Sequence, residues 1–249
     1  MSDRFAICHA ITAKWEGGWS DHPADPGGKT MYGVTQANYD KWRRSRGLAP
    51  RSVRSVTKAE ALAIYRTWFW DACGAPRLVP GVDLAVYDAS VNSGVSRGLR
   101  WLKASVGSND HSATVKKVCR ARLSFMQSLA IWRTFGKGWG RRVADIEVRG
   151  VAMALACMGA TETRIQDNAR AEAEAARKAA KTTETAAKTT GAGGATVGGG
   201  AAIDAGGLDA ATLWVLGVAA AIAVGIAFMI YIRKRAHDAR AQAYAEAAA

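Results

Sequence analysis

The sequence predicts a mainly helical chain: one helical domain with a small glycine-rich loop or hairpin, followed by a linker and a single membrane-crossing helix. Three observations predict it. Apolar residues recur at three- and four-residue steps through the first part of the chain. Sustained alternation of apolar and polar residues is missing, which leaves few strands and confines them to the Gly-rich loop. Residues 211–232, ATLWVLGVAAAIAVGIAFMIYI, run for 22 positions without a charge, the length of a membrane-spanning helix.

The first element is a helix in which Phe5, Cys8, Ile11 and Trp15 share a face and which runs into Glu16. The loop that follows is rich in glycine and proline. Thr57 and Glu60 have the spacing of a capping box and open a helix over KAEALAIYRTWFWDAC. Leu84 to Asn92 and Arg97 to Val106 form two more, separated at Ser93 and Gly94, and Val115 to Phe135 reads as one long helix. Its candidate core positions are Val118, Leu123, Met126, Leu129 and Ala130. Residues 1–160 thus form the folded domain. Residues 161–210 are an Ala-rich charged helix passing into a Gly-rich flexible linker, 211–232 the membrane span, and 233–249 a basic then Ala-rich tail.

Charge is concentrated in the folded part. Residues 1–160 carry 24 Lys and Arg against 12 Asp and Glu, a net of +12 out of +13 for the chain. Such a domain suits an anionic polymer or surface. The arginines are scattered rather than gathered in one tract, which argues against nucleic acid. The cysteines, Cys8, Cys73, Cys119 and Cys157, form no metal-ligand spacing and read as buried free thiols, so neither a metal nor a cofactor is expected. No secretory signal opens the chain. Arg233-Lys234-Arg235 after the span and Asp204 and Asp209 before it would set the tail in the cytoplasm and the N-terminal domain outside. The missing signal and that orientation conflict.

Chemistry concentrates at residues 15–35, WEGGWSDHPADPGGKTMYGVT. Trp15 and Trp19 flank Glu16, and apolar surroundings favour a protonated carboxyl. A protonated acid is what cleaving a glycosidic bond requires, because the leaving oxygen must receive a proton. Asp25 lies nine residues on, where a turn at Pro23 would let it face Glu16, and Thr30 or Thr35 would help hold a water. On residue chemistry alone, a structural role for Glu16 as a cap or ion-pair partner is equally admissible.

EGGWSDHPADPGGKTMYGVT resembles the N-terminal motif of the glycoside hydrolase family 108 muramidases, close to EGGY followed by DPxDPGGxTxxGIT. YRTWFWDACG, LAVYDASVNSGVSRGLRWL and FGKGWGRRVADIE resemble three later segments of that family, in order, across residues 5–150. Trp19 stands where tyrosine is commoner, and His22 where asparagine or aspartate is. The resemblance implies a lysozyme-like helical fold, with about 110–150 as a peptidoglycan-binding part, and hydrolysis of the β-1,4 bond between N-acetylmuramic acid and N-acetylglucosamine. It maps the family's catalytic glutamate onto Glu16. A looser similarity to phage lysozymes reproduces the Glu16–Asp25 spacing and leaves Thr30 one residue short of the third position.

Around these, Trp19, Tyr32, Tyr87, Asp88 and Asn92 are candidate substrate-binding residues, with core hydrogen-bonding as the alternative for the last three. One of Trp68, Phe69 and Trp70 is a candidate for stacking on sugar, and Trp139, Arg141 and Arg142 for meeting peptide-stem carboxylates. His9, His22, His111 and His237 have no partner spacing and read as surface or core residues. The expectation is a monomeric phage or prophage endolysin at the bacterial inner membrane, acting in the periplasm on peptidoglycan, with a holin for access. The alternatives are a non-catalytic wall-binding protein, a muramidase assisting protein secretion, and a lytic transglycosylase.

Overall fold

A computed structural model describes residues 3–21, 28–196 and 210–249, with side chains through 186, at 218 and from 221 onward. Helix α1, Arg4–Thr12, starts where the Asp3 carboxylate accepts the Phe5 amide, satisfying a donor that the helix leaves open. It buries Phe5, Cys8 and Ile11 and tightens into a 3-10 turn, Ala13–Trp15. Glu16 follows in extended conformation, φ −89° and ψ 136°. The acid therefore stands where the chain changes from helix to loop.

The expected hairpin is present. Strands β1, Thr30–Met31, and β2, Val34–Thr35, are antiparallel, with Thr30 opposite Thr35 and Met31 opposite Val34. Tyr32 and Gly33 form the turn, at φ of 50° and 73°, the geometry that matches strand twist in two-residue hairpins. A bridge between Ser20 and Thr30 ties residue 20 to the hairpin.

Helix α2, Gln36–Ser45, follows at once, and α3, Lys58–Tyr65, opens with the expected capping box between Thr57 and Glu60. After Tyr65 the helix widens to a π-helical turn, Arg66–Asp71. Helices α4, Val82–Ser93, and α5, Val95–Ser105, are separated at Gly94, whose φ of 90° a side chain would resist. The expected single helix over 115–135 is instead two, α6, His111–Gln127, and α7, Trp132–Cys157. The buried stripe of α6, Val115, Val118, Cys119, Arg122 and Met126, stops at Met126. Leu129 is half-buried and Ala130 exposed, so neither continues it.

The chain divides into two compact units, Met1–Met126 with Asp145–Ile165, and Gln127–Ala144 with Gln166–Ala249. The first is organised on α4, in which every residue from Val82 to Ser90 is buried. Two of these are acids, and burying an unpaired carboxylate is costly. Arg4 donates to both oxygens of Asp83 at 2.8 and 2.9 Å, and Arg122 reaches Asp88 at 2.5 Å. Cys8, Cys73 and Cys119 are buried free thiols, as expected; Cys157 is free but exposed.

The second unit contains α8, Glu162–Thr196, from Gln166 onward, and α9, Ala210–Ala247. Helix α8 runs well beyond the charged Ala-rich stretch, and the rest of the expected linker, 197–209, lies outside the described residues. Ala169, Ala173, Ala176 and Ala180 form a buried stripe on α8, while Ile232, Ala241 and Tyr244 are buried on α9. Arg240 pairs with Glu172 at 2.5 Å and Lys234 with Glu184 at 3.8 Å.

These pairs bear on the expected span. Among the described residues no helix is long and apolar enough to cross a membrane, and the side chains of 211–217, 219 and 220 lie outside them. A single span over 211–232 would put α8 and the tail on opposite bilayer faces. Here Glu172 and Arg240 are in contact, so in this form the run does not separate them.

Candidate active site

A cavity of about 230 Å³ lies beside Glu16. His9 and Ala13 from α1, Glu16 and Gly17 from the loop, and Tyr32 from the hairpin turn form one side. Lys58, Ala61, Leu62 and Tyr65 come from α3 at steps of three and four, so a single helix face supplies them. Among the described residues Glu16 is the one carboxylate in this lining.

The hairpin turn fixes the acid's surroundings. A Cβ on Gly33 would lie 2.1 Å from Tyr65 Oη, 2.8 Å from Glu16 Oε2 and 3.2 Å from Glu16 Cγ. Only a residue without a side chain lets this backbone lie against the carboxylate. The Tyr65 hydroxyl donates to the Tyr32 carbonyl at 3.0 Å, which clamps the turn to α3. At the preceding residue, the Trp15 indole N–H donates to Asp145 Oδ2 at 3.1 Å, and Arg149 pairs with the same carboxylate at 2.7 Å.

His9 forms the floor. Its Nδ1 lies 2.8 Å from the Tyr87 hydroxyl, and its ring lies 4.7 Å from Tyr65 and 5.4 Å from Phe5. Burial pushes its pKa below the usual imidazole range, so the neutral ring is favoured. Carboxyl, neutral imidazole, one ammonium group and two tyrosines, of which Tyr65 is buried and Tyr32 half-buried, make an acid-bearing groove. Among the described residues no group of three or more His, Cys, Asp or Glu side chains is placed to hold a metal.

Of the residues the sequence singles out, Glu16 and Tyr32 meet in this cavity. Asp25 lies outside the described residues. Thr30 is in β1, and its hydroxyl donates to the Gly28 carbonyl at 3.0 Å. Trp19 is 37% exposed, under the Arg54 guanidinium at 5.2 Å. Tyr87 and Asp88 are corrected: both are fully buried, one behind His9 and the other against Arg122, so neither faces a substrate. Asn92 is half-buried at the end of α4, where it accepts from Ser93 at 3.3 Å. Trp70 is core, and Phe69 packs on Tyr65 at 5.6 Å. Arg142 is buried and cannot meet a stem carboxylate; Arg141 is exposed. His9, Lys58, Leu62 and Tyr65 are the lining residues sequence reasoning missed.

The model of the family described as glycosyl hydrolase 108 matches residues 9–94, the span that holds every lining residue of the cavity. The solved structure of SagA from Brucella abortus is 31% identical, with a TM-score of 0.54, and the alignment covers 60% of this chain and 95% of that one. The chain belongs to glycosyl hydrolase family 108. No curated protein matches it. Membership makes the protein a glycoside hydrolase, and the helical fold of this family-108 chain is consistent with a lysozyme-like domain.

Proposed function

We propose that this family-108 protein is a peptidoglycan hydrolase that cleaves the β-1,4 bond between N-acetylmuramic acid and N-acetylglucosamine, with Glu16 as general acid. The observation that carries the reading is the Gly33 backbone packed against the Glu16 carboxyl at the cavity wall. Such packing fixes where the proton is delivered. A positioned acid of this kind contributes roughly 10²–10⁴-fold to a hydrolysis. Tyr32, half-buried at the hairpin turn, offers a ring face to the sugars. Asp25 is the proposed base, activating a water on the opposite face of the ring, which makes the reaction inverting.

The same reading puts the enzyme at work in phage-type host lysis, in the periplasm and attached to the bacterial inner membrane through 211–232. Support comes from the uncharged run itself and from Val218, Ile222, Val224, Ile226 and Met229, all exposed on α9. Large apolar side chains left in solvent along one helix mark a surface that something covers.

Mass spectrometry of the fragments released from purified murein by the full chain tests the chemistry. Fragments ending in reducing N-acetylmuramic acid are expected. Anhydro ends would replace hydrolysis by transglycosylation, and retention on murein without any cleavage would make the protein a wall-binding module.

A further inference from the structure

The second unit contains a larger groove, about 770 Å³, that the muramidase reading does not use. Its walls are the first turns of α7 and the far half of α9. From α7 come Trp132, Arg133, Lys137 and Arg141; from α9 come Phe228 and Arg235. Among the described residues the one acid in the lining is Asp238, and it is engaged by Lys234 at 3.1 Å. No ion pair to a described carboxylate engages Arg133, Lys137, Arg141 or Arg235, all of which are exposed. Four cations therefore face one cavity without an ion pair to a described carboxylate.

Aromatic rings order these cations. The Arg133 guanidinium lies 4.6 Å from the Phe228 ring centroid, and Arg235 donates to the Tyr231 hydroxyl at 2.8 Å. Trp132 lies across Gly136, where an added Cβ would come within 2.5 Å of the indole, and Trp139 stacks on Phe135 at 5.8 Å. Beside the groove, Ile131 and Phe135 are about half exposed, and the exposed apolar positions of α9 continue away from it. Cations and aromatic rings at the end of an apolar strip are the pattern of a lipid–water boundary.

We propose that this groove binds the headgroups of anionic phospholipids, as a docking surface for the bilayer. The groove straddles residue 232, where the uncharged run gives way to Arg233-Lys234-Arg235, which is the level at which headgroup phosphates meet such a segment. Phosphates enter between the guanidinium and ammonium groups, and acyl chains lie against Val224 and Phe228. A sugar polymer would use the cations and leave that hydrocarbon strip without a partner, so charge and apolar surface together favour lipid over murein. Because both α7 and the far half of α9 line the groove, one leaflet engages both.

Flotation of the full chain with phosphatidylcholine vesicles, with and without phosphatidylglycerol, tests this independently of any murein assay. Wild type should bind the anionic vesicles in excess, and salt should weaken that excess. Replacing Arg133, Lys137 and Arg141 together by Gln should lower it about a hundredfold, each cation being worth roughly fivefold near an anionic surface. Removing the same charge on α8, with Arg177, Lys178 and Lys181 each changed to Gln, should leave most of it. Equal losses in the two variants would reduce the effect to net charge and overturn the proposal. So would wild-type binding by the groove variant, or loss of murein retention with vesicle binding intact, which would assign the groove to the wall.

Discussion

In the unit formed by residues 1–126 and 145–165, carboxylates go deep into the core; in the unit formed by 127–144 and 166–249 they stay near the surface. Asp83 and Asp88 are 1% and 0% exposed, each tied to an arginine from another helix. The pairs of the second unit, such as Asp167 with Arg170 and Asp238 with Lys234, are solvated. The cores differ in the same sense: Trp70, Tyr87 and Phe5 interlock edge to face in one, while an alanine stripe runs along α8 in the other. A buried ion pair tolerates one partner in one register, so the first unit holds a fixed site. Small side chains and wet ion pairs permit more than one arrangement, which suits the proposed docking on a bilayer.

The largest effect that could break this contrast is at Arg122. Changing Arg122→Leu leaves Asp88 charged and buried, and urea unfolding should show a loss of about 3–5 kcal/mol. Replacing both partners by leucine should recover much of it. A loss below about 1 kcal/mol in the single variant would mean that water reaches Asp88.

Next comes the hairpin turn. Gly33→Ala meets a positive φ and the Tyr65 hydroxyl, and overpacking of this kind costs about 1–3 kcal/mol. Turnover on murein should fall more than tenfold, because the added methyl displaces the Glu16 carboxyl. Gly18→Ala, with nothing within 4 Å of the added atom, should change neither quantity.

A smaller, pH-dependent effect follows from His9. Its folded pKa lies below the unfolded value, so the unfolded chain binds more protons between the two. Stability is full above the ordinary imidazole pKa of about 6.5 and declines as pH falls through that window. Unfolding free energies measured from pH 8 to pH 5 should show this slope, and His9→Gln should flatten it. The smallest effect is in the second unit: Arg240→Ala should cost at most about 1 kcal/mol, in the range of solvent-touched pairs.

The parts legible in the sequence were those with local causes. The capping box at Thr57 and Glu60, the break at Gly94 and the hairpin each depend on neighbouring residues. Tyr87 and Asp88 misled because α4 is buried from Val82 to Ser90, so no polar face marks which side meets solvent. His9 and Tyr65 are 56 positions apart, and only packing brings their rings together. Lys58, Ala61, Leu62 and Tyr65 did carry a signal: once the capping box fixed the helix start, their spacing put them on one face. The stop of α6 at Gln127 had no glycine or proline to announce it.

The central claim is that Glu16 delivers the proton. Reducing-end release from purified murein should be compared for the full chain and for Glu16→Gln, alongside murein binding and thermal unfolding. The account predicts at least a hundredfold loss of turnover, with binding and unfolding temperature unchanged. Wild-type turnover by the glutamine variant would contradict it.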